Sequence, residues 1–237
     1  MSNVDTRRAG LVRPVAELVG LTIVAFLISV VAGVAFIVPM LVLGYGIETT
    51  IVLIGSTAAG QVAFLVVGYA YCRLRGVSVT IARPSGRQLL VVLGGTVAAL
   101  VVATVLSVLL TVLDLLPQSV IGDIATRNPT FLLGLAALSV VLVAPAEEWL
   151  FRGVIQGRLR QRVGPVPAIA GSSLLFGSMH LANYSGALLP VFAGAALIVV
   201  VGCVFGALYE YTGNLTVPIV THATYNVVLM GLSYLSI

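Results

Sequence analysis

Two adjacent carboxylates and an arginine, in Glu147-Glu148-Trp149-Leu150-Phe151-Arg152, interrupt a chain that is otherwise almost as apolar as lipid. Ionisable groups inside an apolar helix cost roughly 2.5–3.5 kcal/mol each on insertion scales, so three within six residues mark a site. Glu148 and Arg152 are spaced i,i+4, share a helix face and can pair. Glu147 points about 100° away on the same helix. One carboxylate can therefore be held by the arginine while its neighbour stays free to accept a proton. The chain's two histidines, His180 and His222, stand in equally apolar surroundings. His222 and Asn226 are again i,i+4, and so are Phe176 and His180. Desolvation suits an unpaired glutamate to general-base work near neutrality. A histidine can share the activated water or donate to a developing oxyanion, and an asparagine amide adds a fixed donor for that charge. The chemistry is water activation, and in a water-filled pocket it extends to peptide-bond hydrolysis within a membrane.

The elements that must position these residues are membrane helices. Of 237 residues, 59% are hydrophobic and 8% charged, the composition of a polytopic membrane protein. Apolar runs of about 20 residues cross a hydrocarbon core as helix, and seven are expected: approximately 15–41, 50–72, 88–113, 130–157, 166–183, 189–209 and 215–235. The fold class is an all-α bundle of about seven spans, the first bending at Pro39. Continuous rather than alternating apolar runs exclude a β-barrel. The first run is too long for a signal-peptide core and has no convincing cleavage site, so it is expected to remain as a span.

All twelve basic residues are arginine. Arg7, Arg8 and Arg13 precede the first span, Arg73, Arg75, Arg83 and Arg87 separate the second from the third, and Arg158, Arg160 and Arg162 follow the fourth. On the other side stands Arg127, with Asp114 and Asp123. The positive-inside rule puts the N-terminus in the cytoplasm and the C-terminus outside; the expected location is the plasma membrane. The formal charge of +4 needs no nucleic-acid partner. Cys72 and Cys203 have no metal or disulfide spacing and read as packing residues.

Depth follows from counting. With a turn at Gly164-Pro165, Glu148 and His180 each lie 16 residues from it, about 24 Å along their helices at ~1.5 Å per residue. Allowing for the arginine-bearing end of span four, the site is roughly 15 Å deep, and His222, nine residues past Gly213, lies about 14 Å in. Three segments converge on one plane, slightly cytoplasmic of the bilayer centre. The chain divides accordingly into 1–129, three spans without ionisable residues deep inside them, and 130–237, which carries the polar constellation. Trp149 and Phe151 read as packing or lipid-facing, Glu210 as interfacial, and Pro218 as a kink in span seven.

Glu-Glu-x-x-x-Arg at 147–152, Phe-x-x-x-His at 176–180 and His-x-x-x-Asn at 222–226, in that order, closely resemble the CPBP family of CAAX prenyl proteases and Abi-type membrane enzymes. Tyr209 to Leu215 also resembles the family pattern. The resemblance covers about residues 131–230. It implies that Glu147 activates the water with His180 as partner, that Glu148 and Arg152 support and orient, and that His222 and Asn226 form an oxyanion hole. It also implies a membrane-anchored substrate, with a prenylated C-terminal peptide as one candidate. The family has been described both as metal-dependent and as glutamate-type. Glu147, His180 and His222 could ligate zinc, but they lack His-Glu-x-x-His spacing, and a metal-independent site is favoured.

Two other functions fit the same residues. Chains of Glu and His also mark proton relays, but transporters commonly repeat their halves and the polar residues here occupy one half. A catalytically idle immunity or scaffold protein could lose a general base or oxyanion donor, and here all are present.

Overall fold

The computed structural model describes residues 3–237, with side chains from Val12 onward; Arg7 and Arg8, used for topology above, lie outside the described side chains. Among the described residues the chain is a bundle of eight helices: α1 (Asn3–Val42), α2 (Thr50–Arg75), α3 (Gly86–Val112), the short α4 (Val120–Arg127), α5 (Thr130–Val163), α6 (Pro165–Met179), α7 (Leu188–Thr212) and α8 (Thr216–Ser236). Five are long and apolar enough to cross a membrane: α1 from Val12, α2, α3, α5 and α7.

The expectation of seven spans is therefore not met on length and composition. Segment 166–183 is corrected to a helix that stops at Met179. Its 15 residues reach about 22 Å, short of a ~30 Å hydrocarbon core. His180 caps it, a tight turn follows over Leu181–Asn183, and the chain then runs extended. α8 has 21 residues, but Thr216, Thr221, His222, Thr224 and Asn226 dilute its apolar character. Pro218 is also corrected: it is the third residue of α8, where its missing N–H has no intrahelical acceptor to lose. α1 continues through both Pro14 and Pro39.

The long segment between α3 and α5 is pinned at both ends. Gln118–Ser119 (β1) pairs antiparallel with Tyr184–Ser185 (β2), Gln118 opposite Ser185 and Ser119 opposite Tyr184. Asn128 Nδ2 donates to the Glu48 carbonyl (2.9 Å) and to Thr50 Oγ1 (3.0 Å). At the opposite end of the bundle, buried Asn214 behaves like a piece of backbone. Its Oδ1 accepts from Ala82 N (3.1 Å) and its Nδ2 donates to Ala82 O (3.0 Å), so the loop before α3 is clamped to the start of α8.

α5 is not a uniform α-helix. Ser139–Val143 and Trp149–Gln156 are π-helical, on either side of the short α-turn Ala144–Glu148. Pro145 explains the first wide turn: its ring would clash with the carbonyl of Val141 in regular α geometry, and widening the turn makes room. In the second, Ser172 Oγ of α6 donates to the Phe151 carbonyl (2.7 Å), supplying a partner from outside the helix.

α5 and α7 run parallel and are joined by three contacts four residues apart on both helices. Arg152 Nη2 donates to the Gly202 carbonyl (2.9 Å), Gln156 Nε2 to the Gly206 carbonyl (2.9 Å), and Arg160 Nε to Glu210 Oε1 (2.6 Å). The glycines permit the approach. A Cβ on Gly202 would lie 3.0 Å from Arg152 Nη2, and one on Gly206 2.8 Å from Gln156 Oε1.

Candidate active site

The two carboxylates of α5 have parted company. Glu148 and Arg152 are fully buried and pair through Oε1 and Nη1 at 3.0 Å. The same Glu148 Oε1 accepts from His222 Nδ1 at 2.8 Å. Arg152 lies over the Phe176 ring, 4.4 Å from its centroid, and 5.6 Å from that of Phe205. Such a cation–π arrangement compensates a desolvated guanidinium. His222 stacks on Phe205 at 4.8 Å and meets Phe176 edge-on at 5.9 Å. Aromatic packing on two sides thus fixes the imidazole plane.

Glu147 faces the other way, into a cleft of about 430 Å³ that His180, His222 and Asn226 also line. Its Oε1 accepts from Gln61 Nε2 of α2 at 3.0 Å, and its Oε2 lies 3.9 Å from His222 Nε2. That last separation is too long for a direct bond and short enough for a shared water.

The tautomers follow from the partners. His180 Nδ1 lies 2.9 Å from the Phe176 carbonyl, which can only accept, so Nδ1 carries the proton. His222 Nδ1 donates to the Glu148 carboxylate for the same reason. In each neutral ring Nε2 is then the lone-pair nitrogen. Asn226 Nδ2 donates to Ser139 Oγ at 2.9 Å, which consumes one amide hydrogen and leaves the other for the cleft.

The six residues singled out by sequence thus separate into two layers. Glu147, His180, His222 and Asn226 share the cleft, while Glu148 and Arg152 sit behind it and reach it through His222. Two participants were missed. Gln61 is an isolated amide in an apolar helix far away in sequence, and Ser139 is a common small residue; the one available signal was that Gln61 is polar at membrane depth.

A zinc ion held by Glu147, His180 and His222 can be tested on the side chains. Their free Nε2 atoms are of suitable chemistry, and Nδ1 partners of this kind orient metal-binding imidazoles. No three His, Cys, Asp or Glu side chains are drawn together as a ligand group among the described residues.

Residues 128–228 match the family described as Rce1-like, type II CAAX prenyl endopeptidase. This segment is similar to that family. All three motifs fall inside it, which bears out the resemblance read from them. Uncharacterized protein YpbD of Bacillus subtilis (strain 168) is 34% identical over 82 residues, 35% of this chain and 36% of that protein. The match thus spans about a third of the relative's length. No solved structure matches the chain. The matching segment begins at the N-terminal end of α5 and ends within α8, so every cleft residue named above except Gln61 lies inside it.

Proposed function

We propose that the protein is an intramembrane endopeptidase that hydrolyses a peptide bond of a membrane-anchored substrate. The observation carrying this is the position of Glu147: a carboxylate in a cleft, tethered through one oxygen, its other oxygen a water's width from an imidazole nitrogen. Glu147 takes a proton from water as the water oxygen bonds to the scissile carbonyl carbon. The carbonyl oxygen becomes an oxyanion, which the free N–H of Asn226 stabilises. His180, through Nε2, helps hold the attacking water. The C–N bond then breaks, Glu147 returns its proton to the leaving nitrogen, and the products are a carboxyl and an amine group. His222 joins Asn226 as an oxyanion donor only when its ring carries both protons, since Nδ1 is committed to Glu148. Glu148 and Arg152 keep that ring in place.

The mechanism proposed is metal-independent, supported by the failure of Glu147, His180 and His222 to assemble as three ligands. The Rce1-like match supports CAAX-type processing, and the substrate is proposed as a lipid-anchored peptide, prenylated or otherwise. Residues 130–237 form the catalytic core of a plasma-membrane protein whose arginine-rich end faces the cytoplasm, with the site near mid-membrane on its cytoplasmic side. The partners are the substrate and the bilayer, with no nucleic acid.

The test is incubation of the purified full-length protein in detergent with a farnesylated C-terminal peptide and with an acylated control peptide, read by mass spectrometry. Cleavage by the wild type and none by Glu147→Ala is expected. Equal cleavage by the variant would remove Glu147 from the chemistry.

A further inference from the structure

α2 is apolar along most of its length, and its other cleft-lining polar side chains look after themselves. Ser56 and Thr57 both donate back to the Leu53 carbonyl, at 3.0 and 2.8 Å. Gln61 does not. It spans 86 positions of sequence to donate to Glu147, while its own Oε1 is buried with no partner. A polar amide carried at membrane depth, with its whole hydrogen bonding directed at one atom, calls for a reason.

The helix is held firmly around this contact. A Cβ on Gly60 would lie 2.6 Å from Ser29 Oγ of α1, and one on Gly68 2.8 Å from Trp149 of α5. Close approaches on both sides of Gln61 fix the backbone from which it reaches. The tether holds Glu147 Oε1, so the rotation that would swap the carboxylate oxygens is stopped and Oε2 is left facing His222. The amide also suits a residue that alternates between base and acid. Its N–H₂ donates to the carboxylate, and its unpartnered carbonyl can accept from the protonated form after an amide turn. A lysine would serve only the first state.

We infer that Gln61 is a positioning residue for Glu147, so that a helix outside the Rce1-like segment completes the active site. The kinetic arm of the test rests on the endopeptidase reading; the spectroscopic arm does not. In pH-difference infrared spectra of the purified full-length protein, the Glu147 carboxyl band is assigned by its loss in Glu147→Gln. We expect that band to move in Gln61→Leu and to stay in place in Thr22→Val, a comparable polar-to-apolar change in α1. An unmoved band in Gln61→Leu would overturn the inference.

With the farnesylated peptide, Gln61→Leu should lower kcat about tenfold or more, short of the ~100- to 10,000-fold that loss of the general base itself would cost, with little change in KM. Because its effect passes through that carboxylate, the loss should fall on turnover and not on substrate binding. A rise in KM with kcat unchanged would make Gln61 a structural residue and overturn the inference. If the wild type cleaves no peptide, it is the endopeptidase reading that fails, and the infrared band still decides Gln61.

Discussion

Glu148 Oε1 accepts a hydrogen bond from Nδ1 of His222 across 2.8 Å, on the same oxygen that meets Arg152. One buried oxygen therefore neutralises a guanidinium and orients an active-site ring. Glu148→Gln removes the negative charge and leaves Arg152 buried without its counter-charge. Breaking such a pair costs about 3–5 kcal/mol, so denaturation in detergent should show a large loss of stability. Glu147→Gln should unfold like the wild type and abolish activity. The reverse pattern would exchange the roles of the two carboxylates.

The glycine contacts between α5 and α7 separate packing from propensity. Gly202→Val and Gly206→Val push into Arg152 and Gln156, and each should destabilise by about 1–3 kcal/mol, the usual range for overpacking. Gly94 and Gly231 have nothing within 4 Å of an added Cβ. Alanine there should be neutral or stabilising by up to about 1 kcal/mol. Thermal melts of the four variants compare the two effects directly.

Ser139 should show itself through Asn226. Asn226→Ala removes the proposed oxyanion donor and should reduce kcat by roughly 100- to 1,000-fold with less effect on KM. Ser139→Ala frees the amide to rotate, and a smaller loss in the same parameter is expected. If Asn226→Ala turns over at the wild-type rate, its bond to Ser139 is an interhelical contact and nothing more.

For the metal, thorough chelation should leave cleavage unchanged. Added zinc is expected to inhibit by bridging Glu147 Oε2 and His222 Nε2, which lie 3.9 Å apart. Activity lost on chelation and restored by a stoichiometric divalent ion would establish a metalloprotease.

The helical character and the polar constellation were legible because charge in an apolar chain is rare enough to be conspicuous. Spacing alone separated Glu147 from the Glu148–Arg152 pair, and the turn at Gly164-Pro165 was marked by two residues that end and begin helices. What the sequence did not yield depends on tertiary partners. Hydropathy could not tell that the run 166–183 stops at Met179, since the chain beyond it turns and then pairs as β2 with β1, a partner far away in sequence. Gln61 and Ser139 are unremarkable until α2 and α8 are seen beside α5. Pro218 falls in the first turn even of the expected span 215–235, where a proline has no intrahelical hydrogen bond to break, so the kink reading failed on helix-start chemistry and not on the boundary.

The most direct measurement is peptide hydrolysis in water enriched in oxygen-18, by the wild type and by Glu147→Gln, with proton uptake followed in reconstituted vesicles. We expect one heavy oxygen in the newly formed carboxyl group of the wild-type product, and no product from a Glu147→Gln protein that melts normally. No cleavage by the wild type, together with Glu147-dependent acidification of the vesicles, would contradict hydrolysis and make the same residues a proton path.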